Sequence, residues 1–141
     1  MKYIALVAIA LIAGCATVPD DTVVENGAAA PMGTVVALGQ PVRLDPAPQQ
    51  IFVVTPMKLL EDSRCPINAR CVWAGRVVVE TRVDGAGWQE TVAVEMGKDT
   101  TVRGERVTLS IVKPDRVAGE ELNLSDYRFG YDINQILVGG D

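Results

Sequence analysis

The strongest constraint on the fold is an alternation of apolar and polar side chains over residues 73–83. Because successive side chains of a β-strand point to opposite faces of a sheet, a period of two predicts a strand with one buried face. The face predicted to be buried comprises Trp73, Gly75, Val77, Val79, Thr81 and Val83. The polar face comprises Ala74, Arg76, Val78, Glu80 and Arg82.

Several shorter runs have the same β character. The strand candidates are residues 34–38, 42–44, 51–55, 88–96, 106–112 and 127–133, and the candidate at 106–112 places Val107, Leu109 and Ile111 on one face. Pro56 should bend its strand, and residues 57–60 either continue the strand or form one helical turn. Asp84-Gly85-Ala86-Gly87 predicts a hairpin turn. No segment has the pattern of an amphipathic helix, so the sequence predicts an all-β domain, a small antiparallel sandwich or barrel of about 6–8 strands.

The first residues have the pattern of an export signal. Lys2 precedes an unbroken apolar run over residues 3–13, which is too short to span a bilayer and fits a signal peptide. The run ends in Leu-Ile-Ala-Gly-Cys, residues 11–15, which resembles the lipobox of bacterial lipoproteins. The resemblance implies that Cys15 carries lipid and that residues 1–14 are removed. The alternative is an ordinary signal peptide, which would leave Cys15 as an odd, reactive thiol.

Lipidation at Cys15 would define the organisation of the whole chain. Residues 15–32 are expected to form the lipidated cysteine and a flexible tether, and residues 33–138 a single β domain. The resemblance implies a bacterial cell envelope location with a lipid anchor in the membrane. In lipoproteins of bacteria with two membranes, a residue other than Asp after the cysteine favours the outer membrane, so the resemblance, with Ala16 at that position, implies an outer-membrane location facing the periplasm. The formal net charge of −5 disfavours binding of the body of the domain to nucleic acid or to anionic lipid, so membrane association is expected to come from the acyl chains.

The two remaining cysteines are predicted to form a disulfide. Cys65 and Cys71 are an isolated pair in an exported chain, and such pairs are usually oxidised. The bridge would close a short surface loop and stabilise the fold by only about 2 kcal/mol. Trp73 is expected to cover the disulfide and the core beneath it. A redox-active pair is the alternative, but the spacing is not C-x-x-C and no helix follows.

Residues on both sides of this loop resemble a known signature. Residues 62–66, Asp-Ser-Arg-Cys-Pro, and residues 71–75, Cys-Val-Trp-Ala-Gly, are similar to a motif of small exported bacterial proteins of uncharacterised function. Those proteins also tend to end in a strand with a tyrosine-arginine pair, like Tyr127-Arg128 here. The resemblance implies a fold class and a compartment, and it implies no activity.

No motif in the sequence specifies a reaction. The chain has no histidine, which removes Ser-His-Asp and Cys-His catalysis and imidazole zinc sites. The three serines, Ser63, Ser110 and Ser125, are interpreted as hydroxyls that bond to backbone. The acidic residues Glu61, Asp62, Glu120, Glu121 and Asp126 lack calcium-binding spacing, and a carboxylate pair for glycoside hydrolysis would need a deep cleft. We therefore expect no catalytic residues, no metal and no cofactor.

The candidate interaction loop contains Asp62, Arg64, Arg70 and Trp73. The two arginines and the tryptophan could form an exposed patch for an envelope protein or a glycan. Alternatively, Arg64 or Arg70 pairs with Asp62 or Glu61 and stiffens the loop. The preferred hypothesis is a non-enzymatic envelope lipoprotein that acts as a binding or structural module. The alternative is a periplasmic inhibitor of a protease or lysozyme that uses the disulfide-braced loop.

Overall fold

The computed structural model of the protein describes residues 29–47 and 49–135. The predicted signal peptide, Cys15, most of the predicted tether and residues 136–138 of the predicted domain lie outside the described residues. The described residues form seven strands in chain order: β1 (Val42–Ala47), β2 (Gln50–Asp62), β3 (Val77–Gly85), β4 (Trp88–Glu95), β5 (Asp99–Val102), β6 (Glu105–Lys113) and β7 (Arg128–Gln135). A 3-10 turn, Leu124–Asp126, precedes β7. The prediction of an all-β fold is confirmed.

The strands form two antiparallel sheets, and within each sheet the strands lie side by side in the order in which they occur in the chain. The first sheet has the order β1-β2-β3-β4, and the second has the order β5-β6-β7. The predicted hairpin turn between β3 and β4 is present, with Gly85 opposite Trp88. Ala30 forms a bridge with Val42 at the edge of the first sheet, so the paired chain includes a residue just before position 33.

One apolar core lies between the two sheets. The first sheet contributes Val42, Leu44, Phe52, Val54, Val77, Val79, Val83 and Val94, and the second contributes Val102, Val107, Leu109, Val112, Phe129, Tyr131 and Ile133. The hydroxyl groups of Thr81 and Tyr131 share a buried hydrogen bond of 2.9 Å between the sheets. Burial raises the pKa of the Tyr131 phenol, and this keeps the bridging group neutral. The predicted inward face of β3 is therefore confirmed from Val77 to Val83.

The alternation predicted for residues 106–112 is wrong at its end. Val107 and Leu109 are buried, but Ile111 is 41% exposed, and Val112 points into the core instead. The pairing of β6 with β7 shifts between Leu109 and Ile111. A bulge adds one residue to a strand, and because side chains alternate with a period of two, the residues after it change face.

One other strand prediction is corrected. The segment 34–38 forms no strand, only an isolated bridge between Val36 and Phe129, because it lies between chain reversals at Gly33 and Gly39. At Pro56, where the sequence predicts a bend, the pairing of β2 with β3 shifts register between Pro56 and Lys58, and it shifts again between Leu59 and Glu61. Of the two alternatives for residues 57–60, the structure has the continued strand, since β2 extends to Asp62.

We predict that Leu109→Ala and Ile111→Ala will differ in their effect on stability. A buried leucine truncated to alanine typically costs about 2–5 kcal/mol, whereas a half-exposed isoleucine should cost less than about 1.5 kcal/mol. The free energy of unfolding should be measured by denaturant titration for both variants. Equal losses would contradict the bulge, because they would place both side chains in the core, as simple alternation requires.

Candidate functional site

The disulfide predicted between Cys65 and Cys71 is present, with the two Cα atoms 5.8 Å apart. It lies in the connection between β2 and β3, and residues 65–74 of this connection are called the disulfide loop here. The strands extend toward the loop as a short ladder, because the Ser63 amide donates to the Arg76 carbonyl at 2.8 Å and the Cys65 amide donates to the Ala74 carbonyl at 3.0 Å. The loop is thus closed by main-chain bonds as well as by sulfur.

A polar cluster, called the clasp here, fixes the base of the disulfide loop. It consists of Asp62, Arg64 and Tyr127. Two nitrogens of the Arg64 guanidinium donate to the two oxygens of the Asp62 carboxylate at 2.8 and 2.9 Å. The Tyr127 hydroxyl donates to the same carboxylate at 2.7 Å. Both charged side chains are largely removed from water, with exposed fractions of 6% for Asp62 and 15% for Arg64.

The clasp connects the two sheets. Asp62 is the last residue of β2 in the first sheet, and Tyr127 immediately precedes β7 in the second. The Arg64 guanidinium also donates to the main-chain carbonyls of Val112 at 3.1 Å and Pro114 at 3.0 Å. One carboxylate and one guanidinium therefore hold the end of β2 against the end of β6 and the start of β7.

The segment after β6 supports the loop from a second side. The Arg116 guanidinium donates to the Arg64 carbonyl at 3.1 Å, and the Ile67 amide donates to the Arg116 carbonyl at 2.9 Å. The Asn68 side-chain oxygen accepts from the Ala118 amide at 2.7 Å. These bonds connect the disulfide ring and its base to the segment after β6.

The clasp sets the charge states of its members. Burial alone would raise the pKa of Asp62, but the hydrogen bonds from Arg64 and Tyr127 outweigh it and hold this pKa below its usual value. Burial, together with the bond to Asp62, raises the pKa of Tyr127 to about 12. At neutral pH the carboxylate is therefore ionised and the phenol is a neutral donor.

The tip of the disulfide loop exposes its large apolar side chains. Ile67, Val72 and Trp73 are exposed to 71%, 93% and 83%. The expectation that Trp73 covers the disulfide and the core is therefore wrong. The strand pairing of β3 begins at Val77, so the alternation that placed Trp73 and Gly75 on the buried face does not extend to them. Within the described residues, no carboxylate lies within ion-pair distance of Arg70.

The structure separates the two roles considered for the arginines. Arg64 stiffens the loop by pairing with Asp62, as the structural alternative proposed, whereas Arg70 stays on the surface with Trp73. Sequence reasoning missed two residues of this site. Tyr127 was noticed only as part of a tyrosine-arginine pair, and Arg116 lies in a polar loop whose sequence has no signal for a contact with residues 62–64.

The other candidate groups have structural contacts. The Ser63 hydroxyl bonds to the Glu61 carboxylate and to the Arg76 main chain, and the Ser110 hydroxyl donates to the Gly130 carbonyl. Glu120 and Glu121 line a cavity of about 340 Å³ beside Asp62, but the Arg116 guanidinium lines it too and disfavours a cation there. Within residues 29–47 and 49–135, no cluster of three acidic or cysteine side chains is arranged to hold a metal ion.

Comparisons with known proteins add no family to this description. No protein-family model matches the chain, and no significant similarity is found to a curated protein or a solved structure. In the described part of the chain, no helix is long and apolar enough to cross a membrane.

We predict that Asp62→Asn will destabilise the protein by about 2 kcal/mol at pH 7, because Arg64 loses a charged partner in a site with little water. The matched control is Asp45→Asn, which removes the carboxylate of the exposed Arg43–Asp45 pair and should cost less than about 1 kcal/mol. Denaturant titration of the two variants measures both losses. Equal effects would contradict a structural role for the clasp.

The comparison of wild type with Asp62→Asn also gives a test of pH dependence. A carboxyl group whose pKa is lower in the folded than in the unfolded state stabilises the fold above its unfolded pKa, about 3.9, and loses this effect as the pH falls through its folded pKa. The stability difference between wild type and Asp62→Asn should therefore shrink below about pH 4. A difference that does not change with pH would show that Asp62 is not ionised in the folded protein.

We predict that Gly75→Ala will be much more damaging than Gly97→Ala. Gly75 has φ of +72°, and a Cβ atom there would overlap the Ser63 carbonyl oxygen. Gly97 has φ of +77° with open space around it, so this control isolates the left-handed conformation, which costs about 1 kcal/mol. Thermal unfolding should show a clearly larger loss for Gly75→Ala. Similar losses would mean that the chain at Ser63 moves aside freely.

Proposed function

We propose that this protein is a non-enzymatic lipoprotein of the bacterial cell envelope, anchored through Cys15 and facing the periplasm from the outer membrane, and that its disulfide loop binds another component of the envelope. The observation that carries the proposal is the combination of a fixed main chain and exposed apolar side chains in one short loop. The lipobox resemblance of residues 11–15 supports the location.

The composition of the loop surface supports a binding role. Tryptophan and arginine are the residues most enriched where alanine substitution weakens an interface, and Trp73 and Arg70 are both exposed here. Ile67 and Val72 add two further exposed apolar side chains to the same loop. A fixed loop loses little conformational entropy on binding, so its contacts contribute more fully to affinity.

The polar groups nearby favour binding over catalysis. The ionised Asp62 is occupied by Arg64 and Tyr127, and the Ser63 hydroxyl is occupied by Glu61 and Arg76. A nucleophile needs an adjacent base with unshared electron pairs, and the loop exposes apolar groups and a guanidinium instead.

A second candidate function is inhibition of a periplasmic hydrolase, a protease or a lysozyme, by insertion of the disulfide loop into the enzyme's cleft. The observation that favours it is that the main chain of the loop is held twice, by the disulfide that closes the ring and by the clasp at its base. An inhibitor with a fixed loop retains the conformation that fills the cleft.

We predict that a photoreactive p-benzoylphenylalanine at position 72 will capture an envelope component in living cells, because Val72 is the most exposed apolar side chain of the loop. The matched control is the same residue at position 51, since Ile51 is also exposed but lies at the opposite end of β2. Mass spectrometry of the products identifies what is captured, and intact mass of the purified protein tests acylation of Cys15.

The outcomes separate the two candidates. A product at position 72 that is absent at position 51, on a chain with acylated Cys15, supports the binding module. A captured hydrolase whose activity is blocked selects the inhibitor. Equal labelling at both positions, or a mature chain without acyl groups, contradicts the proposal.

A further inference from the structure

Charge is unevenly distributed between the disulfide loop and the rest of the chain. The chain carries 18 acidic residues, yet residues 63–79 contain none and include Arg64, Arg70 and Arg76. Arg64 is paired with Asp62, and Arg76 is paired with Glu61 at 2.8 Å. Among the described residues, Arg70 is therefore the cation of residues 63–79 that has no carboxylate within ion-pair distance. The segment after β6 that packs against the loop does carry acidic side chains, namely Asp115, Glu120 and Glu121.

The apolar side chains of the loop have no role in the core. Ile67, Val72 and Trp73 are exposed, while hydrogen bonds from the clasp and from Arg116 hold the loop in place. A tryptophan next to aliphatic side chains and a cation is the composition of protein surfaces that enter the boundary between lipid headgroups and acyl chains. These three apolar side chains and Arg70 all belong to one short loop whose main chain is braced by the disulfide and by the segment after β6.

The position of Cys15 brings the loop within reach of a bilayer. Thirteen residues lie between Cys15 and Ala29, where the described chain begins, so the two Cα atoms are fourteen steps apart and at most about 48 Å from each other. A domain of this length has a radius of gyration of about 13 Å, which corresponds to a diameter of roughly 35 Å. A chain anchored at Cys15 can therefore place any part of the domain against the membrane.

We propose that the disulfide loop docks on the surface of the same bilayer that holds the Cys15 lipid. Trp73, Val72 and Ile67 enter the interfacial layer, and Arg70 contacts lipid phosphate. The proposal rests on the lipid anchor of the proposed function and names the occupant of the same loop. It gives the domain a defined orientation, with β2 and β3 leading away from the membrane and the other ends of the sheets exposed to the periplasm.

Docking of this kind depends on covalent attachment. Three apolar side chains and one arginine bind a bilayer weakly by themselves, since stable membrane association needs more than one signal. An anchor in the same chain keeps the loop at a local concentration on the order of millimolar or above, so a weak contact becomes populated. The lipid and the loop would then be two membrane-binding signals in the same chain.

The test uses the acylated protein reconstituted into vesicles of phosphatidylethanolamine and phosphatidylglycerol with bromine on a fraction of the acyl chains. Trp88→Phe leaves Trp73 as the single tryptophan, and Trp73→Phe leaves the half-buried Trp88. We expect brominated lipid to lower Trp73 fluorescence at least twofold and to leave Trp88 unchanged. If Trp88→Phe fails to fold, the difference between wild type and Trp73→Phe reports the same quantity.

The charge of the loop gives a second, independent measurement. Arg70→Gln should shift the equilibrium between docked and undocked loop by about fivefold in these anionic vesicles and little in vesicles of phosphatidylcholine. Arg43→Gln removes the same charge from β1, away from the loop, and should leave the equilibrium unchanged.

Failure of this inference is distinct from failure of the proposed function. An acylated protein whose Trp73 is unaffected by brominated lipid and fully quenched by aqueous iodide overturns the docking and leaves the anchored binding module intact. Capture of a protein or a glycan from position 72, with Trp73 in water on the vesicles, assigns the loop to that partner and also overturns the docking. A chain without acyl groups overturns both.

Discussion

The ion pair between Asp62 and Arg64 is the interaction on which the arrangement of this protein depends. It lies where the first sheet ends, and its guanidinium reaches the carbonyls of Val112 and Pro114 beside the second sheet. Two charges held away from water would destabilise the fold if their hydrogen-bonding capacity were unfilled. Here the carboxylate accepts from Arg64 and from Tyr127, and the guanidinium donates to Asp62 and to two carbonyls, so bonds offset the loss of hydration.

The clasp explains why the disulfide loop can expose apolar side chains. In most small domains a tryptophan packs into the core, because burial of its large ring is strongly favourable. This core is filled mainly by valines from both sheets and by Phe129 and Tyr131, and the loop is held by polar bonds to the segment after β6. Trp73 is therefore not part of this core. Its exposure lowers solubility, and a partner that covers this surface would remove that cost.

The sequence predicted the strands well where the hydrophobic period was regular and poorly where the register shifted. In β3 the alternation of Val77, Val79, Thr81 and Val83 is unbroken, and each of them is buried. In β6 a bulge after Leu109 exposes Ile111 and buries Val112. A bulge forms because the partner strand and the core require it, and the strand's own residues contain no signal that shows where the extra residue will lie.

The candidate site, like the strands, could be predicted from the sequence only in part. The sequence by itself determined the all-β class and the presence of arginines around the disulfide loop, because the hydrophobic period and the composition can be read along the chain. The pairing of Cys65 with Cys71 followed from the sequence only once the lipobox resemblance had set Cys15 aside. Only the tertiary structure decided that Arg64 is structural while Arg70 is exposed, that Tyr127 and Arg116 support the loop, and that Trp73 faces solvent. The roles of Arg64, Tyr127 and Arg116 depend on contacts between residues about 50–65 positions apart, such as the bond from Tyr127 to Asp62. Such contacts exist only after the two sheets have packed.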